Sequence, residues 1–157
     1  MSPATPTEAC WLCLPAVPES SGRCRDFVRS VLDRHDIDGA RDDAVLLASE
    51  LCSNVIRHAG TPMVVGVLWD PVAHVVRVSV RDDAPGLPAV RTTSDDQPSG
   101  RGLRIIDRIA QRWGVRRLPR GKVVWFEVRT DARGVSHRVP EAAPDGDRDR
   151  PALPLRP

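Results

Sequence analysis

The sequence is short of several features that would each have fixed a function class. No stretch of its 157 residues approaches the roughly 20 continuous apolar residues needed to span a bilayer. Basic residues barely outnumber acidic ones, 23 Lys and Arg against 21 Asp and Glu, for a formal net charge of +2. A protein held to nucleic acid by phosphate neutralisation carries a clear basic excess, so the balance argues against direct nucleic-acid binding. The first twenty residues have no basic start and are broken by prolines, unlike a secretory signal. The expected compartment is the cytoplasm, with no membrane partner. Cysteine occurs only at Cys10, Cys13, Cys24 and Cys52. The single C-x-x-C pair has no second pair to complete a four-ligand zinc site. Pro15 and Pro18 follow it where a redox motif would continue into a thioredoxin-like pattern. Cys13, Cys24 and Cys52 therefore read as small hydrophobes in a reduced protein. Internal repeats are absent.

What is present fits one ordinary globular domain. The chain is 41% hydrophobic and 28% charged. Residues 1–9 are polar and carry two prolines, which predicts a flexible N-terminus. Residues 11–15 read as a short strand. Ser20 or Ser21 offers a helix cap, and Phe27, Val28, Val31 and Leu32 recur at helical spacing from Arg23 to Arg34. Asp38 can cap a second helix reaching about His58, with Ala44, Ala48, Leu51 and Val55 on one face and Gly60 ending it. Met63 to Trp69 and His74 to Arg81 read as a hairpin around Asp70-Pro71. A long loop fills 82–101, a length that a compact domain rarely keeps without a function. A helix from about Gly102 to Arg112 turns Leu103, Ile106 and Ile109 or Ala110 inward, and two strands follow, Trp113 to Leu118 and Val123 to Thr130. From Asp131 prolines punctuate a tail of mixed charge, expected to be disordered. The folded domain is thus 10–130, between a 1–9 extension and a 131–157 tail. Its order implies an α+β fold: a two-layer sandwich with helices covering one face of a mostly antiparallel sheet.

Three clusters carry possible chemistry. Glu50 and Asn54 stand i and i+4 on the second helix, at the flank of its apolar face. Such a pair can hold a metal or orient a nucleophile, or be a surface pair. Asp82 ends a strand ahead of Asp83-Ala84-Pro85-Gly86; its carboxylate can accept a hydrogen bond from an exocyclic amine such as that of adenine, or belong to a plain turn. Gly100, Arg101 and Gly102 open a helix just before Leu103, where backbone N–H groups and the helix dipole suit an anion. By itself this is a lone G-x-G, without the third glycine of a dinucleotide fingerprint.

Taken in order, ELCSNVIRHAG, VRDDAPGLP, GRGLRIIDRIAQRWGV and GKVVWFEV resemble the GHKL (histidine-kinase-like) ATPase superfamily, and within it the anti-sigma-factor serine/threonine kinases and their stand-alone actinobacterial relatives. The resemblance covers about residues 11–130. It implies the Bergerat ATP-binding fold with ATP and Mg²⁺ as cofactors. Asn54 would coordinate Mg²⁺, and Glu50 would be the general base toward a Ser or Thr hydroxyl of an anti-anti-sigma partner. Asp82 would bind the adenine amine and Gly86 would allow the turn beneath the nucleotide. Residues 87–100 would form a lid, and Gly100, Arg101, Gly102 and Leu103 would lie at the phosphates, with His58 in packing or behind the residues that touch ATP. Implied partners are an anti-anti-sigma factor, a sigma factor and a second copy of the chain. A non-catalytic ATP-binding interaction module is the alternative. Two departures from the family pattern stand out: Ala84 replaces a glycine, and Val123 occupies the place assigned to a threonine.

Overall fold

The computed structural model describes residues 8–86 and 101–130. Glu8–Leu14 forms strand β1, followed by helices α1 (Ser20–Arg34) and α2 (Arg41–Asn54). A π-helical segment, Val55–Ala59, continues α2. Strands β2 (Met63–Asp70) and β3 (Val75–Asp82), helix α3 (Arg101–Ile109) and strands β4 (Arg112–Arg117) and β5 (Lys122–Arg129) complete the order. The five strands form one antiparallel sheet in the order β1-β2-β3-β5-β4. This is the α+β sandwich expected from the alternation of periods. No helix among the described residues is long and apolar enough to cross a membrane.

The helices form where apolar residues recur on one side. Cys24, Val28, Val31 and Leu32 bury one face of α1. In α2, Ala44, Val45, Leu47, Ala48, Leu51 and Cys52 are all buried, because this helix packs on α1, α3, β3 and β5 at once. Its small residues let α1 come close: the Cys24 thiol reaches the Ala48 carbonyl at 3.8 Å. Cys24 beside it and burial push the Cys52 thiol up, away from the reactive thiolate. Asp42 and Asp43 sit in the first turn of α2, where the helix dipole favours negative charge. Gly60 closes the π segment in the left-handed region (φ 64°), its N–H bonded to the Val55 carbonyl at 2.9 Å.

Local chemistry departs from expectation at four places. Neither Ser20 nor Ser21 caps α1; Glu19 holds the cap position without a side-chain bond. Ser20 lies inside the first turn and donates to the Pro15 carbonyl at 2.7 Å, tying the β1–α1 connection to the helix. Asp38 does not cap α2 either: it pairs with the Arg41 guanidinium at 3.0 Å, and Ala40 takes the cap position. Cys13 is exposed, since β1 alternates and Leu14 next to it points inward. Glu8 and Ala9 belong to β1 rather than to a frayed end, because pairing with Trp69 and Leu68 satisfies their backbone. The 131–157 tail and residues 1–7 lie outside the described residues.

Strand register explains what each sheet face carries. Under the helices, one rung runs Leu12–Val65–Val80–Val124–Val115 and another runs Cys10–Val67–Val78–Phe126–Trp113. The rung at the end of that face runs Leu14–Met63–Asp82–Lys122–Arg117. The opposite face carries Trp11–Gly66–Ser79–Trp125–Gly114, with each tryptophan lying over a glycine. There Arg77 sits 4.4 Å from the Trp125 ring centroid and donates to Glu127 Oε1 at 2.7 and 2.9 Å.

Gly121 joins β4 to β5 at φ 79°, and a Cβ there would collide with the Asp82 carbonyl. The Gly121→Ala variant is expected to lose more than about 1 kcal/mol of stability, read by urea denaturation. An unchanged midpoint would show that β3 and β5 do not approach this closely.

Candidate functional site

Asp82 ends β3 on the sheet face that the helices cover. The two rungs before it on that face are apolar, so its carboxylate is buried by position: the residue is 1% exposed. Its Oδ1 accepts from the Lys122 ammonium at 2.9 Å and from the Ala84 N–H at 2.9 Å. Its Oδ2 is buried and has no hydrogen-bond partner among the described residues. Leaving a buried acceptor unpaired costs about 1–3 kcal/mol, and more when it is charged. A fold that orients one oxygen with two donors and leaves the other open suits a donor brought by a ligand. An exocyclic amine has that chemistry, so the residues present fit the adenine-binding role assigned to Asp82.

The surrounding turn settles two departures noted above. Ala84 is buried and is not among the described residues with positive φ, so its backbone does not need a glycine there. Gly86 does need one, at φ 102°. Val123 pairs with Arg81 and so alternates onto the other sheet face, while Lys122 pairs with Asp82. The β5 side chain beside Asp82 is therefore an ammonium. Lys122 and Gly121 were both missed in the sequence as site residues. The signal was available in the parity of β5: the positions that face the helices are Lys122, Val124, Phe126 and Val128, and Lys122 is the polar member of that set.

Glu50 and Asn54 lie on the last turn and a half of α2, both half-buried. One helical turn separates them, so they project from the same side. Among the described residues neither has a recorded hydrogen bond or ion pair, which leaves both polar heads available. Ser53 between them is occupied, its hydroxyl 3.2 Å from that of Ser21 on α1. Arg57 and His58 are exposed on the π segment, and Arg57 Nε donates to the Ser53 carbonyl at 3.3 Å. His58 thus stands at the surface rather than in packing. No group of three His, Cys, Asp or Glu that could hold a metal occurs among the described residues. A magnesium ion here would rest on Asn54 together with phosphate oxygens, the usual division for this ion.

Topology brings α2 and Asp82 to one end of the sheet. After α2 and Gly60 the chain enters β2 at Met63, which pairs with Asp82. Helix α3 begins at Arg101 and ends near the opposite side, where the Gln111 N–H bonds the Glu127 carbonyl at 2.8 Å. Arg101 and Gly102 form its first turn, where backbone N–H groups lack intrahelical partners. Leu103 goes into the core with Ile106, so its side chain holds the helix down and only its N–H is left for an anion. Gly100 and the proposed 87–100 lid lie outside the described residues.

Residues 14–128 match the family model of the histidine kinase-like ATPase domain. No curated protein matches the sequence. The matched span runs from the end of β1 into β5 and includes Glu50, Asn54, Asp82 and the start of α3. Domains of this kind bind ATP, usually with Mg²⁺, and the buried, half-satisfied carboxylate at Asp82 is consistent with that use. The chain belongs to the histidine kinase-like ATPase domain family.

Proposed function

We propose that the protein is an ATP- and Mg²⁺-dependent serine/threonine kinase of the anti-sigma-factor type, acting in the cytoplasm on an anti-anti-sigma partner or sequestering a sigma factor. The observation that carries the nucleotide half of this reading is the unpaired Oδ2 of Asp82. The kinase half rests on Glu50, which a purely structural nucleotide would not require.

In this reading Asp82 fixes the base, and Gly86 shapes the turn beneath it. The first turn of α3 offers its backbone N–H groups to the phosphates. The Asn54 amide oxygen holds the metal, and one helical turn away Glu50 accepts the proton of the attacking Ser or Thr hydroxyl. Magnesium, when bound, supplies positive charge against the phosphate oxygens. The remaining work is positioning, which the core-bound α2 performs for Glu50 and Asn54 together. A homodimer through the first strand and helix belongs to the same proposal. It is supported by the place of β1 at the sheet edge, where one side of the strand has no neighbour among the described residues.

Calorimetric titration should show ATP binding that depends on Mg²⁺. Asn54→Ala should abolish the difference between titrations with and without the metal. Absence of binding at millimolar ATP would retire the nucleotide reading.

Glu50→Gln should bind ATP within about twofold of the parent. It should lose phosphotransfer by a factor on the order of 10²–10⁴, the range for a lost general base. Phosphotransfer at the parent rate would remove Glu50 from the mechanism. A parent protein that binds ATP yet transfers no phosphate to any anti-anti-sigma partner would favour the non-catalytic module.

A further inference from the structure

The buried pair at the end of the apolar sheet face does more than hold Asp82. Lys122 Nζ lies 2.9 Å from Asp82 Oδ1 and is the only donor on a side chain there among the described residues. Its ammonium carries three N–H bonds, and Oδ1 uses one of them. Oδ1 is also held by the Ala84 N–H, while Oδ2 is buried and open. The end of the site therefore presents one free acceptor, Oδ2, with free ammonium donors beside it.

We infer that Lys122 is a specificity-determining residue that donates to N1 of the adenine whose amine is bound by Asp82. The inference rests on the ATP-binding reading above and extends it to the base edge. Adenine offers an amine donor next to a ring-nitrogen acceptor, the complement of an open carboxylate oxygen next to an ammonium. Guanine offers the reverse order, a carbonyl acceptor next to an N–H donor, and so sets donor against donor at Lys122. Guanine's other recourse is to pair its N1–H and amine with both oxygens of one carboxylate. That is closed here, because Oδ1 is already engaged twice. Gly121 makes the arrangement possible: with no Cβ, it lets the start of β5 reach the Asp82 backbone.

The test compares ATP with 1-deaza-ATP, which keeps the amine and replaces N1 with C–H, in the wild type and in Lys122→Met, which has no donor, all with Mg²⁺ by calorimetry. In the wild type the deaza compound should bind about tenfold or more weakly, the loss of one charge-assisted hydrogen bond. In Lys122→Met the two ligands should bind equally, with ATP itself weakened. Equal binding of both ligands to the wild type overturns the role of Lys122, and so does the same penalty persisting in the variant. Tighter ATP binding by Lys122→Met also overturns it, and would make the lysine a plug on Asp82. Removing Lys122 leaves a buried carboxylate uncompensated, so a thermal melt checks that the variant folds. If it does not, the wild-type ligand pair decides alone. Failure of the wild type to bind ATP at all is a different result: it removes the nucleotide reading, and this inference with it.

Discussion

A charged pair is buried at the end of an otherwise apolar sheet face. Asp82 and Lys122 occupy the rung beyond Val80 and Val124, so the same pleat that builds the core carries them out of water. Breaking such a pair from one side costs about 3–5 kcal/mol, because the remaining charge stays buried. A fold built for stability alone would place valines here, as the neighbouring rungs do. Retaining the pair with one carboxylate oxygen open exchanges stability for recognition, the usual signature of a site.

The rest of the architecture supports that end of the sheet. Helix α2 is buried on several sides by α1, α3, β3 and β5, so Glu50 and Asn54 stand on a fixed rod. Gly60, in a left-handed turn, sends the chain from α2 into Met63 beside Asp82. Gly121 brings β5 against the backbone of Asp82. The two glycines have different reasons: one supplies a conformation, the other supplies space as well. On the far face, Trp11 and Trp125 lie over Gly66 and Gly114, and Trp125 stacks with Arg77, whose partner Glu127 is 2% exposed.

Much of this was legible in the residues. The periods of α1, α2, β2 and β3 gave the element order, and Glu50, Asn54, Asp82 and the start of α3 were visible as an ordered set. What was not legible had specific causes. Ser20 and Asp38 are good cap residues by type, but each found a partner outside the cap, a carbonyl at Pro15 and a guanidinium at Arg41. Lys122 was overlooked as the neighbour of Asp82 because a one-residue shift in a strand moves a side chain to the opposite face. Only pairing fixes that parity.

The sequence by itself determined the α+β class, the family and the identity of the polar residues, because hydrophobic period and motif order are local properties of the chain. Tertiary structure decided which of those residues meet. That Lys122 rather than Val123 neighbours Asp82, that Oδ1 is satisfied while Oδ2 is open, and that Leu103 serves the core follow from strand register and burial. Those depend on contacts between residues about 40 positions apart, such as Asp82 and Lys122, and no local pattern encodes them.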